Sequence, residues 1–122
     1  MSPWIPRLFR SCAIYGVLAL IPLYFLPWPA LRTETYLGFV GLALVFQGVL
    51  WLIAADPVRY RQLMLAAAAE KLAFALPALG LYAQGRTGAS TALFAAIDLV
   101  MGGAFALAFV ATPTSRPQDP RA

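Results

Sequence analysis

Asp56 to Gly85 reads DPVRYRQLMLAAAAEKLAFALPALGLYAQG. Past its arginines the run is alanine- and leucine-rich, apolar and long enough to cross a bilayer as a helix. Yet Glu70 and Lys71 stand side by side near its centre. Each charge at that depth costs roughly 3 kcal/mol on insertion scales. The stretch therefore reads as a membrane helix, over about 60–83, whose charges face protein and not lipid.

The rest of the chain agrees with a membrane reading. Of 122 residues, 61% are hydrophobic and 11% charged, whereas a soluble domain carries about 25% charged residues. The apolar residues come in long blocks, which indicates one polytopic membrane domain. The net charge of +4 comes from arginines at block ends, so it sets topology and does not mark a nucleic-acid binder. A single cysteine, Cys12, and no histidine exclude an intramolecular disulfide and argue against haem, zinc and histidine acid–base chemistry. No metal or cofactor is expected.

Residues 1–10 (MSPWIPRLFR) are expected to lie at the interface, with aromatics at headgroup height and Arg7 and Arg10 near phosphates. The first span covers about 11–28, with Pro22 kinking its outer half. PWPALR offers no small-x-small cleavage site, so this span is expected to stay uncleaved. Cys12, Gly16 and Ala19 give it a small-residue stripe. The second span covers about 35–55, capped by Thr33 or Thr35, with Glu34 at the positive end of its dipole. Gly41, Val45 and Gly48 form a smooth ridge on it. Gln47 is expected to hydrogen-bond to another helix, and Trp51 follows one turn later. Asp56-Pro57 reads as N-cap and first residue of the third span, and Gly85 as its C-terminal cap. The fourth span covers about 88–111, capped by Thr87 or Ser90, with Ala95, Asp98, Gly102 and Ala106 on one face. Residues 112–122 read as a disordered cytoplasmic tail.

Arginine placement orients the chain. With a cytoplasmic N-terminus, Arg7, Arg10, Arg59, Arg61, Arg116 and Arg121 fall inside and Arg32 and Arg86 outside. That obeys the positive-inside rule and puts both termini in the cytoplasm. Short turns then give an all-α, up-down-up-down four-transmembrane-helix bundle.

Gln47, Glu70, Lys71 and Asp98 all fall within about two turns of the midplane. Lys71 shares a stripe with Met64, Ala67, Ala68, Ala75 and Ala78, which permits close approach of a second helix. Asp98 lies on a comparable small face, so Lys71–Asp98 is the expected pair. Glu70 points about 100° away from Lys71. One ammonium then faces two carboxylates, so Glu70 either keeps a proton or leaves room for a cation. Pro77 removes a helical hydrogen bond and crowds the carbonyl of Ala73, one turn beyond Glu70, and interrupted helices beside mid-membrane charge often mark binding sites. The ligand- or proton-binding candidates are Glu70, Lys71, Asp98, Gln47 and Trp51; no catalytic residue is assigned.

Ala54-Ala55-Asp56-Pro57-x-Arg59-Tyr60, the mid-span Lys71, Pro77, the Gly85-Arg86 turn and Asp98 together resemble a group of small bacterial four-helix membrane proteins, loosely DoxX-like. The resemblance covers about 54–109, with Tyr15-Gly16 suggestive in the first span. It implies the four-helix architecture and a bacterial inner membrane, and no reaction. Ile97 stands where that group commonly has asparagine. Three functions follow as expectations. The bundle binds or carries a proton or a small amphipathic or cationic ligand. Or it is a structural or accessory subunit, with Lys71–Asp98 as a clasp. Or it is a lipid-modifying membrane enzyme, for which no nucleophile or metal-ligand set is present. The expected partners are membrane lipid, a second copy or another membrane subunit, and no nucleic acid.

Overall fold

Prolines decide where the first helix can run. In a computed structural model, which describes residues 2–115, α1 spans Trp4–Leu20 with Pro3 at its N-cap. Pro6 is its third residue, where no amide is needed for the helical ladder. Residues 4–10 are therefore helical and continuous with the rest of α1. At the other end Pro22 has no amide to donate and crowds the carbonyl one turn back. The α-helix stops at Leu20, and Ile21–Tyr24 continue as a 3-10 turn. The first apolar helix is thus Trp4–Tyr24, displaced toward the N-terminus from the expected 11–28.

Two aromatic side chains fasten the connection that follows. The Trp28 indole N–H donates to the Tyr24 carbonyl at 3.1 Å, and the Tyr36 hydroxyl donates to the Leu23 carbonyl at 2.9 Å. Arg32 enters α2 (Thr33–Ala55) in the left-handed region, with φ 56°. Thr33 does not cap the helix. It is the first helical residue, and its hydroxyl donates backward to the Pro29 carbonyl at 2.8 Å. Glu34 sits in the first turn as expected.

α1 and α2 pack as an antiparallel hairpin. α1 buries Ile5, Phe9, Cys12, Ala13 and Gly16, a stripe at helical spacing. α2 buries Val40, Gln47, Leu50, Ile53 and Ala54. The expected ridge is not the packing face: Val45 is 71% exposed. Gln47 also behaves differently from the expectation. Its Nε2 donates to Ala43 of its own helix at 2.8 Å, not to a neighbouring one. That bond orients the amide, and Oε1 takes the space that a Cβ on Gly16 would fill. It has no conventional hydrogen-bond partner. It faces the Cα hydrogens of Gly16, the weak contact that recurs where helices approach closely.

Asp56 closes α2, its amide donating to Leu52 at 3.3 Å. It is not the N-cap of the next helix, because residues 57–62 form turns and α3 begins only at Leu63. α3 runs Leu63–Ala83 with Pro77 inside it. Its end matches the expectation: Gly85, at φ 69°, lets its own amide reach Tyr82 and the Arg86 amide reach Leu81 at 2.8 Å. This pair of bonds is a Schellman closure. Gly88, and not Thr87 or Ser90, is the N-cap of α4 (Ala89–Ala111). α3 and α4 form the second hairpin.

Arg61 holds the far end of α4. Its Nε donates to the Phe109 and Thr112 carbonyls at 3.1 and 2.9 Å, and its guanidinium lies 3.8 Å from the Phe109 ring centroid. A cation there also suits the negative end of the helix dipole. Thr112 itself is buried. The part of the expected tail at 116–122, with Arg116 and Arg121, lies outside the described residues.

The fold class is all-α, with no strand among the described residues. Four helices, Trp4–Tyr24, Thr33–Ala55, Leu63–Ala83 and Ala89–Ala111, are each long and apolar enough to cross a membrane. Residues 2–57 and 58–115 form two compact units, one hairpin each.

Gly16→Ala is expected to destabilise the protein by about 1–3 kcal/mol through overpacking. Adding Gln47→Ala should recover most of that loss. Thermal unfolding in detergent, followed by circular dichroism, compares the three variants.

Candidate functional site

The second hairpin is built so that a lysine can be buried in it. α3 buries Met64, Ala67, Ala68, Lys71, Ala75 and Ala78, the stripe expected from the sequence. Most of these side chains are one carbon long, so α4 can come close. Gly102 completes the approach: a Cβ there would lie 3.4 Å from Lys71 Cβ and 3.5 Å from the Ala68 carbonyl oxygen. The lysine stem starts against Gly102 and its head reaches Asp98, one turn earlier on α4. That separation, about 6 Å along the helix, is within the reach of a lysine arm. Ala106, expected on the same face, is exposed, and Phe105 is buried in its place.

Lys71 Nζ lies 3.5 Å from Glu70 Oε2 and 3.9 Å from Asp98 Oδ1. The expected Lys71–Asp98 pair is present, but Glu70 shares the ammonium and is the nearer partner. Sequence neighbours leave a helix about 100° apart, yet long, flexible arms let the ends converge. Both separations are ion-pair contacts longer than a good N–H···O bond. Consistent with that, Glu70 Oε2 is buried without a hydrogen bond. The contact is therefore best described as charge–charge only.

Exposure separates the three groups. The Lys71 side chain is 6% exposed, against 25% for Glu70 and 18% for Asp98. The cation sits inside and the two carboxyls stand at the rim. Each carboxylate offers about four lone-pair sites, and one ammonium at these distances does not saturate them. The cluster can hold a further proton or cation at its rim without exposing the lysine.

Gln47 and Trp51 belong to the first hairpin, and the three-group cluster is built by the second hairpin alone. Trp51 is half-exposed, and the Arg10 guanidinium stands 5.7 Å from its ring centroid, a cation–π geometry. Neither that contact nor the Gly16–Gln47 contact was readable from spacing, because each joins residues far apart in the chain.

Comparison with family models, with characterised proteins and with solved structures finds no match. The chemistry of the cluster thus carries the functional reading.

Glu70→Gln and Asp98→Asn should each be tolerated, because the other carboxylate still neutralises Lys71. The double variant strands a buried ammonium and should lose about 3–5 kcal/mol, far more than the sum of the singles. Unfolding midpoints of the three variants in detergent measure this non-additivity. Additive small effects would show that the ammonium does not depend on the pair.

Proposed function

We propose that this is a small multi-pass membrane protein that binds a proton or a small organic cation at Glu70 and Asp98, over the buried Lys71. One observation carries the reading: a single ammonium, almost fully buried, is shared by two carboxyls that both keep part of their surface exposed. The ammonium compensates one negative charge, and the second is available for exchange. A proton and a cation compete for it, which is the elementary requirement of a proton-coupled carrier or binding module.

The second reading is a structural clasp in an accessory membrane subunit. The lysine stem packed on Gly102 favours it, since that contact fixes the register of α3 against α4 whether or not anything binds. The two readings divide the cluster. Lys71 and Asp98 serve register, and Glu70, the more exposed carboxylate, is the exchangeable group.

The proposed setting is a bacterial inner membrane with both termini cytoplasmic. The arginine distribution and the resemblance to small DoxX-like proteins support it. Reporter fusions active only in the cytoplasm should work at either end of the chain.

Tetraphenylphosphonium is a suitable probe cation. Its binding to the detergent-solubilised protein should depend on the Glu70 carboxylate. In Glu70→Gln the affinity should drop at least about tenfold, equivalent to about 1.4 kcal/mol. Equilibrium dialysis makes the comparison. Equal affinity in the variant would overturn Glu70 as the exchanging group.

A further inference from the structure

The first hairpin carries a feature that the charged cluster does not use. A groove of about 410 Å³ runs between α1 and α2, lined chiefly by Ile14, Val17, Leu18, Leu44, Gly48 and Trp51. Gln47 also borders it, but its amide is turned away, to Ala43 and Gly16. The groove is therefore apolar along its length. No atom lies within 4 Å of where a Cβ on Gly48 would stand, so the floor is open at that point.

One end of this groove is basic. Arg10, Ile14 and Leu18 recur every four residues, so they lie on one stripe of α1. The Arg10 guanidinium stands over the Trp51 ring, at the limit of the apolar lining. Arg7, one turn further out, is exposed like Arg10. Asp56, which closes α2 at the same end of the hairpin, is outnumbered by these two arginines. An apolar slot ending in a tryptophan and exposed guanidinium groups has the polarity of an anionic amphiphile, with its chain inward and its anion at the rim.

We infer that this groove binds one acyl chain of an anionic phospholipid of the surrounding bilayer, with the lipid phosphate held by Arg10 beside Trp51. Guanidinium N–H groups match phosphate oxygens in a fork. Trp51 is at home at headgroup height, where aromatic rings anchor. The chain lies along Ile14, Val17 and Leu18 on one side and Leu44 and Gly48 on the other. A second copy of the protein would bring the same arginines and no phosphate, so charge favours lipid.

Trp51 itself reports occupancy. In a Trp4→Phe/Trp28→Phe background it is the sole tryptophan. The protein is reconstituted in mixed vesicles of phosphatidylglycerol and phosphatidylcholine, with brominated chains on one lipid or the other. Brominated phosphatidylglycerol should quench Trp51 with about fivefold higher apparent affinity, the ratio that about 1 kcal/mol per arginine supplies. Arg10→Gln should bring the ratio close to one. Gly48→Leu, whose Cβ would meet nothing within 4 Å, should lower quenching by both lipids while circular dichroism stays unchanged. Equal quenching by the two lipids before mutation, or a preference that survives Arg10→Gln, would overturn the assignment. So would a Trp51 shielded from both lipids alike, since that would mean protein covers the groove.

Discussion

An ammonium buried near the middle of an apolar helix has to be neutralised where it sits. Lys71 imposes that condition on the second hairpin, and the rest of the hairpin follows from it. The alanines of α3 and Gly102 of α4 bring the backbones close enough for the lysine stem to be covered. Asp98, one turn from Gly102, supplies an anion at the end of the stem, and Glu70 supplies a second. A single carboxylate would satisfy the ammonium. Two leave a surplus, and the surplus is what turns a packing device into a candidate binding site.

The first hairpin uses no buried charge. Its one buried polar side chain, Gln47, gives its N–H to its own helix and rests its oxygen on Gly16. Close approach is again set by a glycine, but here the side chain filling the notch is neutral. The polar work of this hairpin is at its ends. Tyr36 and Trp28 tie down the connection left by the proline-interrupted α1, and Arg10 stands over Trp51 at the opposite end. That division leaves an apolar groove in the middle with a basic rim, which suits a lipid and not a polar solute.

Much of this was legible in the chain, and the parts that were not share a cause. The buried stripe through Met64, Lys71 and Ala78 follows from helical periodicity, because the costly lysine has to lie on the packed face and its helical neighbours Ala67, Ala68 and Ala75 are small. Lys71–Asp98 follows from the cost of an unpaired charge. Glu70's share in the ammonium does not, since backbone direction says little about where two long side chains end. Gln47 was misread for the same reason: an amide near mid-helix can bond along its own helix or across to another, and its rotamer decides. The helix starts failed where local signals compete. Asp56-Pro57 has the composition of an N-cap, yet the chain needs residues 57–62 to turn before α3 begins. Pro3 and Pro6 look like breakers but sit where a helix has no amide to lose.

Lys71 is the sole lysine of the chain, so labelling lysine with nitrogen-15 gives one side-chain resonance. Solid-state NMR of the reconstituted protein would read both its charge and its neighbours. A charged ammonium, with dipolar coupling to carboxyl carbons of both glutamate and aspartate at about 4 Å, is the expected result. A neutral amine, or an ammonium coupled to neither carboxyl type, would contradict the shared ion cluster on which the functional reading stands.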